Sequence, residues 1–383
     1  MKYKQLGATE EKISVIGLGT TGSGTAADSN VQKAENRIRI YKTGIELGIN
    51  LFDTSELYGG GYAEELLGKA IHGARDKIII ASKFNPDNSS FSGVMKAVEG
   101  SLLRLKTDYL DLYQVHWPNP FVPLSETIAA LEDLVRQGKI RHLGVGNFSL
   151  DEIREAQSFC RHEVLATIEE EYNLMCRDIE KDIIPYCTEK SITVLAYSPL
   201  NRGTLSWNPE QRELLETLAR KHDAGPAQII MNWVVGHVPV VALTKTDNLD
   251  HLRTAVHAID LRLDEDDIKK INATFRSKLC MIPTDQISLQ PSENRPIYHT
   301  VEEAMHNKYK WLPSPEMLSR NLLFKGTFKP IRLVARRSTA DNNNSAIHMD
   351  RYDLIGEMKK FWAWRIAYGD DRPIPAYVRE VEA

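Results

Sequence analysis

The sequence predicts an α/β chain: a parallel (β/α)8 TIM-type barrel followed by a smaller α+β domain. Three observations predict it. Eight short β-rich apolar runs lie between about residues 15 and 245, helical patterns separate them, and 108 further residues follow the last of these patterns. Eight strand-helix units in order favour a closed barrel over a doubly wound sheet, which usually has fewer strands. At 383 residues the chain is long enough for two domains.

The elements follow in order. "YKQLG" and "EKISV" at the start form a hairpin that plugs one end of the barrel. The eight strands are "SVIGLG", "INLFDTS", "KIIIASKF", "YLDLYQVHW", "IRHLGVGNFS", "ATIEEEYN", "ITVLAYSPL" and "VPVVALTK". Between them lie helical segments such as "NRIRIYKTGIELG", "AEELLGKAIHG", "GVMKAVEGSLLRL", "LSETIAALEDLVRQG" and "SLDEIREAQSF". "NLDHLRTAVHAI" and "DEDDIKKINATF" complete the barrel near Phe275. The expected boundaries are therefore a barrel over 1–275, a linker over 276–283 and a second domain over 284–383. In that second domain "FKPIRLVAR" and "IPAYVRE" read as strands and "LIGEMKKFWAWRIA" as a helix. Met358, Phe361, Trp362 and Trp364 fall at helical spacing on a core face. "RRSTADNNNSAIHMD" is a polar loop tract.

Composition narrows the function classes. The chain is 42% hydrophobic and 26% charged with a formal charge of -4, the balance of an ordinary globular protein. From Arg276 onward 17 basic residues face 13 acidic ones, against 31 and 39 before it, so the tail carries +4 and the barrel -8. That footprint argues against nucleic acid as a partner. The start has no signal-like apolar core and no later stretch forms an apolar spanning helix, so the expected location is cytoplasmic, with no membrane partner. Four dispersed cysteines without C-x-x-C argue against a disulfide framework or a thiolate metal site, and no metal is expected.

The chemistry concentrates at strand ends, where a (β/α)8 barrel places its reactive groups. In "NLFDTSELYGGGYAEELLGKAI" an apolar run ends at Asp53, and Tyr58 follows on a glycine-rich loop. Lys83 ends the third strand and His116 the fourth. A phenol with a pKa of about 10 is a weak acid at neutral pH, and a nearby ammonium favours its ionised form. Lys83 supplies that charge, Asp53 holds the lysine, and His116 orients a substrate oxygen. Tyr58 is then placed to protonate an oxygen that gains negative charge.

"FDTSELYGGGYAEELLGKAI", "IIIASKF", "DLYQVHWP", "LGVGNFS" and "LAYSPL" together make residues 1–275 resemble an aldo-keto reductase. The resemblance implies NADP(H) as cofactor and hydride transfer to or from a small carbonyl or alcohol. It implies Asp53, Tyr58, Lys83 and His116 as a catalytic tetrad. It further implies a cofactor site formed by Thr20, Asn147, Glu169, Tyr197, Ser198, Leu200, Lys245, Thr246 and His251. Within that set Asn147 would hold the nicotinamide amide, Tyr197 would stack on its ring, and Lys245 and Thr246 would bind the adenosine 2'-phosphate. The chain departs from the family pattern at Gly146 (usually serine), Glu169 (usually glutamine), His251 (commonly arginine) and Ala255 (usually asparagine). The first loop, "TTGSGTAADSN", is small and polar and suits a sugar-like or nucleotide-linked substrate. Trp117, Phe148, Trp207 and Asn208 are candidates for the pocket mouth, Trp117 and Trp207 for substrate contact.

After the barrel, "QISLQPSENRP", "PSPEMLSRNLLFKGTFKPIRLVAR" and "YDLIGEMKKFWAWRIAYGDDRPIPAYVRE" resemble the ParB/sulfiredoxin-like fold. Gly356 and Glu357 match that pattern. Met358 and Lys359 replace its His-Arg pair, and Ile355 replaces its aspartate, so the resemblance implies a scaffold without its hydrolytic or kinase chemistry. Such a module shapes the pocket or builds an oligomer; Arg332, Arg336, Arg337, Lys359 and Lys360 are the residues for a retained nucleotide or phosphosugar site. A second reading of the whole chain is a cofactor-responsive regulatory protein, or one that uses tightly bound NADP in a redox-neutral way.

Overall fold

Short extended segments at the start pair before the barrel begins. Tyr3–Gln5 (β1) and Lys12–Ser14 (β2) form an antiparallel hairpin. Its apolar side chains Leu6 and Ile13 are fully buried against Leu51, Ile79, Ala81, Leu112, Ala166, Leu195 and Val241 of the barrel interior, so the hairpin closes that end as a plug. Lys4 fastens it, donating from Nζ to the carbonyls of Val235, His237 and Val240 at 2.7, 2.7 and 2.8 Å. The computed structural model describes residues 1–27, 30–203, 208–276, 278–289, 297–326, 328–336, 351–354 and 357–380.

The barrel strands follow in chain order: Ile16–Gly19 (β3), Leu51–Asp53 (β4), Ile79–Phe84 (β5), Leu110–Val115 (β6), Ile140–Gly146 (β7), Leu165–Glu171 (β8), Thr193–Tyr197 (β9) and Val240–Thr244 (β10). Each is parallel to the next, and β10 pairs with β3 to close the barrel. The eight runs read from the sequence are these eight strands. Nearly every strand residue is buried, as expected where side chains fill the interior on one face and helices cover the other. The crossover helices are Val31–Glu46 (α1), Tyr62–Ala70 (α2), Phe91–Leu105 (α3), Leu124–Arg136 (α4), Leu150–Phe159 (α5) and Ile183–Lys190 (α6). Pro209–Lys221 (α7) and Pro226–Val235 (α8) lie between β9 and β10, and Leu249–His257 (α9) and Glu265–Thr274 (α10) follow. Local chemistry starts them well. Ser90 accepts from Gly93 N to cap α3, and Ser149 with Glu152 forms a capping box on α5. On α4 the buried Thr127, Ile128, Ala130, Leu131 and Leu134 recur at helical spacing and face the sheet.

By contacts the chain divides into two units, Met1–Leu205 with Leu214–Ile271, and Ser206–Glu213 with Asn272–Ala383. The second contains a five-stranded mixed sheet in the order β11-β15-β13-β14-β12, built from Lys278–Ile282 (β11), Ile287–Ser288 (β12), Ile331–Arg336 (β13), Arg351–Leu354 (β14) and Ile374–Glu380 (β15). Its helices are Val301–Met305 (α11), Pro315–Lys325 (α12) and Met358–Tyr368 (α13). The core joins Ile331, Leu333, Ile374 and Ala376 from the sheet with Phe361, Trp362 and Trp364 from α13, while Met358 packs at its edge. Two expectations need correction. Residues 276–283 are not a simple linker, because Lys278–Ile282 pairs antiparallel with β15. The expected helix beginning at Leu354 starts instead at Met358: Leu354 ends β14, and Glu357 takes a left-handed φ of 48° that breaks continuity. The polar tract over 337–350 and the positions Ile355 and Gly356 lie outside the described residues. No helix among the described residues is long and apolar enough to cross a membrane.

Candidate active site

Asp53 is the last residue of β4, Lys83 is the penultimate residue of β5, and His116 follows β6 directly. The C-terminal ends of neighbouring strands thereby bring them to one mouth of the barrel. Lys83 is fully buried and Asp53 and His116 nearly so. Lys83 Nζ donates to Asp53 Oδ1, to the Thr54 carbonyl at 3.0 Å, and pairs with Glu169 Oε2 at 3.1 Å. Tyr58 stands over this group with its ring centroid 5.4 Å from the ammonium and 5.7 Å from the His116 ring, edge to face.

The glycines after Tyr58 have a geometric cause. Gly59, Gly60 and Gly61 all have positive φ. A Cβ on Gly59 would come within 1.9 Å of the Gly24 carbonyl oxygen, and one on Gly61 within 2.5 Å of the Arg104 side chain. Only a residue without a side chain permits that approach. Arg104 in turn bonds the buried Glu64 on α2 at 2.7 Å, and Glu64 accepts from Ser82 of β5 at 2.6 Å. The loop carrying Tyr58 is thus anchored to the same strand that carries Lys83.

The electrostatics differ from the sequence expectation of a phenol made more acidic by its lysine. Burial, then the charges of Asp53 and Glu169, raise the Tyr58 pKa above its ordinary value, and Lys83 only partly opposes them. Tyr58 keeps some exposure, so its desolvation is milder than that of the fully enclosed lysine. The upward direction stands because two carboxylates face one ammonium. Burial alone would lower the Lys83 pKa, but Asp53 and Glu169 outweigh it and keep the ammonium charged. Burial and the Glu169 charge push Asp53 up to about 8, against the pull of Lys83.

His116 is fixed on two sides. Its Nδ1 lies 3.1 Å from Ser55 Oγ, and its ring stacks on Trp117 with centroids 3.7 Å apart and planes 11° from parallel. Trp117 is half-buried beside the tetrad; Phe148 is fully buried and belongs to the core rather than the pocket mouth. Trp207 lies outside the described residues, and Asn208 Oδ1 accepts from Gln211 N at the start of α7.

The candidate cofactor residues spread around the same end of the barrel. Thr20 is buried and donates to Thr54 Oγ1 at 2.8 Å. Asn147, with a left-handed φ of 62°, donates to the His116 carbonyl at 2.9 Å and accepts from Tyr197 Oη at 2.8 Å. Ser198 also has positive φ, and its carbonyl accepts from Asn173; Leu200 is half-buried beyond it. Lys245 and His251 are exposed and Thr246 half-exposed. Lys245 Nζ lies 3.4 Å from Asp247, whose carboxylate is held by Arg37 of α1 at 2.6 Å. Ala255 is buried on α9. These residues fit a dinucleotide in kind: a half-buried tyrosine ring and an asparagine meet near His116, and the last strand-helix loop carries an exposed cation of the type that pairs with phosphate. The nearby Asp247 shares that cation.

Sequence reasoning missed Ser55, Gln114 and Thr167. Thr167 Oγ1 donates to Gln114 Oε1 at 2.7 Å, and Gln114 Nε2 donates to Glu169 Oε2 at 2.9 Å. The signal for Gln114 was present, because it stands two residues before His116 and strand alternation puts both on the inner side.

Against this geometry, the family model for the Aldo/keto reductase family matches residues 15–275. The chain belongs to that family. An Escherichia coli (strain K12) aldo/keto relative, the methylglyoxal reductase YeaE, is 34% identical over 264 residues, covering 68% of this chain and 92% of its own. A thermostable aldo-keto reductase crystallised with the inhibitor epalrestat is 39% identical with a TM-score of 0.68, over 72% of this chain and all of that one. An aldo/keto reductase from Klebsiella pneumoniae, solved with NADP and acetate, is 32% identical with a TM-score of 0.66, over 72% and 96% of the two chains.

Proposed function

We propose that this aldo/keto reductase is an NADP(H)-dependent oxidoreductase acting on a small hydroxylated carbonyl compound or the matching alcohol, with Tyr58 as general acid and base. The observation that carries the reading is the buried Asp53–Lys83 pair beneath Tyr58, with His116 at its edge. Bound NADP(H) supplies or accepts the hydride. As a carbonyl carbon gains that hydride, its π electrons move to oxygen, which takes the proton of the Tyr58 hydroxyl and becomes the alcohol. Lys83 offsets the charge left on Tyr58, and Asp53 keeps the lysine in place. His116, locked between Ser55 and Trp117, donates toward the substrate oxygen and sets its direction.

Asn147, Tyr197, Ser198, Leu200, Lys245, Thr246 and His251 would hold the cofactor, with Thr20 and Glu169 at its inner side. The complex of the Klebsiella relative with NADP supports NADP(H) as the cofactor. The polar first loop and the name of the Escherichia coli relative, a methylglyoxal reductase, support a short polar carbonyl substrate. The unit after the barrel, with its edge strand Lys278–Ile282 included, is assigned as a ParB/sulfiredoxin-like accessory module. Its mixed sheet beside α12 and α13 supports that assignment. Arg332 and Lys360 there both pair with Glu357. Burial of Glu357 is outweighed by those two charges, which hold its carboxyl below the usual range. The pairing engages two of the cations expected for a phosphate site.

Replacing Tyr58 with Phe tests the central role. Turnover with NADPH is expected to fall by about 100-fold or more, while NADPH affinity stays close to wild type. Near-wild-type turnover would remove Tyr58 from the mechanism.

A further inference from the structure

We infer that Glu169 is a second counter-ion of Lys83 and a positioning residue for the Tyr58 proton, extending the carbonyl-reducing form of the site to higher pH. This rests on the proposed role of Tyr58.

The geometry leaves the lysine shared. An ammonium has three N–H donors, and three acceptors surround Lys83: Asp53 Oδ1, the Thr54 carbonyl and Glu169 Oε2. The Tyr58 oxygen competes with all three for the same cation. Lys83, Asp53 and Glu169 are at most 4% exposed, so water does little to screen their charges. Above about pH 8, where Asp53 has lost its proton, both carboxylates are ionised and the three groups sum to a net negative charge, whereas a neutral amide at position 169 would leave them balanced. An ionised Tyr58 would add a further negative charge to that enclosure, and like charge disfavours it.

Glu169 is held in this position by the barrel itself. Thr167 and Glu169 alternate along β8 onto the inner side, Gln114 reaches across from β6, and the Thr167–Gln114–Glu169 chain fixes the carboxylate. Space for this chain comes from Gly144 on β7, where a Cβ would lie 2.2 Å from Thr167 Oγ1 and 3.0 Å from Gln114 Oε1. The Gln114 amide presents its nitrogen to Glu169 and its oxygen to Thr167, an orientation that suits a carboxylate at 169. The ionisable groups that face Tyr58 are Asp53 from β4, Lys83 from β5, His116 after β6 and Glu169 from β8. The raised pKa of the phenol agrees with this balance.

The test compares full-length wild type, Glu169→Gln, Tyr58→Phe and the double variant. The first readout is the pH dependence of NADPH-driven reduction of 4-nitrobenzaldehyde, which has no enolisable hydrogen to complicate alkaline assays. Reduction needs protonated Tyr58, so its rate falls as pH rises through the phenol's pKa. The limb in Glu169→Gln is expected about 1 to 2 pH units below that of wild type. Coincident limbs, or a shift upward, would overturn the inference. The second readout needs no turnover: the tyrosinate absorbance of each protein minus that of its Tyr58→Phe counterpart isolates one phenol. Wild type is expected to titrate above the ordinary value of about 10, with Glu169→Gln lower. A wild-type midpoint at or below the ordinary value would overturn the inference even if the Gln variant failed to fold. If Tyr58→Phe kept its turnover, the role of Tyr58 would fail, and the absorbance titration would still decide the influence of Glu169.

Discussion

Asp53 shows how a single enclosed carboxyl makes stability depend on pH. In the folded chain burial and the Glu169 charge push its pKa up to about 8, whereas an exposed aspartate titrates near 3.9. Between those values the folded state binds the extra proton, so unfolding releases it and the free energy of unfolding falls as pH rises. The slope from this group is at most about 1.4 kcal/mol per pH unit. Denaturant melts between roughly pH 5 and 8 are expected to show this decline, with Glu169→Gln flattening it. A wild-type stability that climbs through that window faster than Glu169→Gln would contradict the arrangement. Asp53, Tyr58, Lys83 and His116 were legible because each stands at or just beyond a strand end. The contact of Glu169 with Lys83 was not. "ATIEEEYN" offers three consecutive glutamates, and only closure of the barrel sets Glu169 level with the ammonium.

Among the elements, the loop between β4 and α2 carries the tightest constraint. Gly59 has a φ of 64° and sits where any Cβ would overlap the Gly24 carbonyl. Gly59→Ala is expected to cost roughly 1–2 kcal/mol from the left-handed backbone alone. Separation from Gly24 would also displace Tyr58, so turnover should fall with stability. A variant with the Tm and kcat of wild type would show that the loop tolerates the displacement. The three adjacent glycines announced a special backbone, but the partners that Gly59 and Gly61 approach, Gly24 and Arg104, are distant in sequence and left no trace in the local pattern. All eight barrel strands were readable because parallel strands buried on both faces form short apolar runs. The second unit was harder. Its edge strand Lys278–Ile282 looked like a linker, since five residues after a long helical stretch carry little periodic signal, and pairing with β15 alone makes it a strand.

For the molecule as a whole, barrel closure gathers residues from positions 20 to 251 at one mouth, and the family assignment over residues 15–275 accounts for this part of the chain. Glu169, His251 and Ala255, the positions expected to depart from the family pattern, leave the proposed catalytic group of Asp53, Tyr58, Lys83 and His116 together at the strand ends. Ala255 is buried on α9, and the exposed Lys245 shares its charge with Asp247. The central claim is therefore that this altered mouth still takes a phosphorylated nicotinamide dinucleotide. The most direct measurement is a fluorescence titration of the full-length protein with NADPH and with NADH, following tryptophan quenching and energy transfer to the nicotinamide. Saturable binding of NADPH, tighter than that of NADH, is the expected result. Absence of binding by either dinucleotide would contradict the account, leaving a barrel that keeps the tetrad without its cofactor.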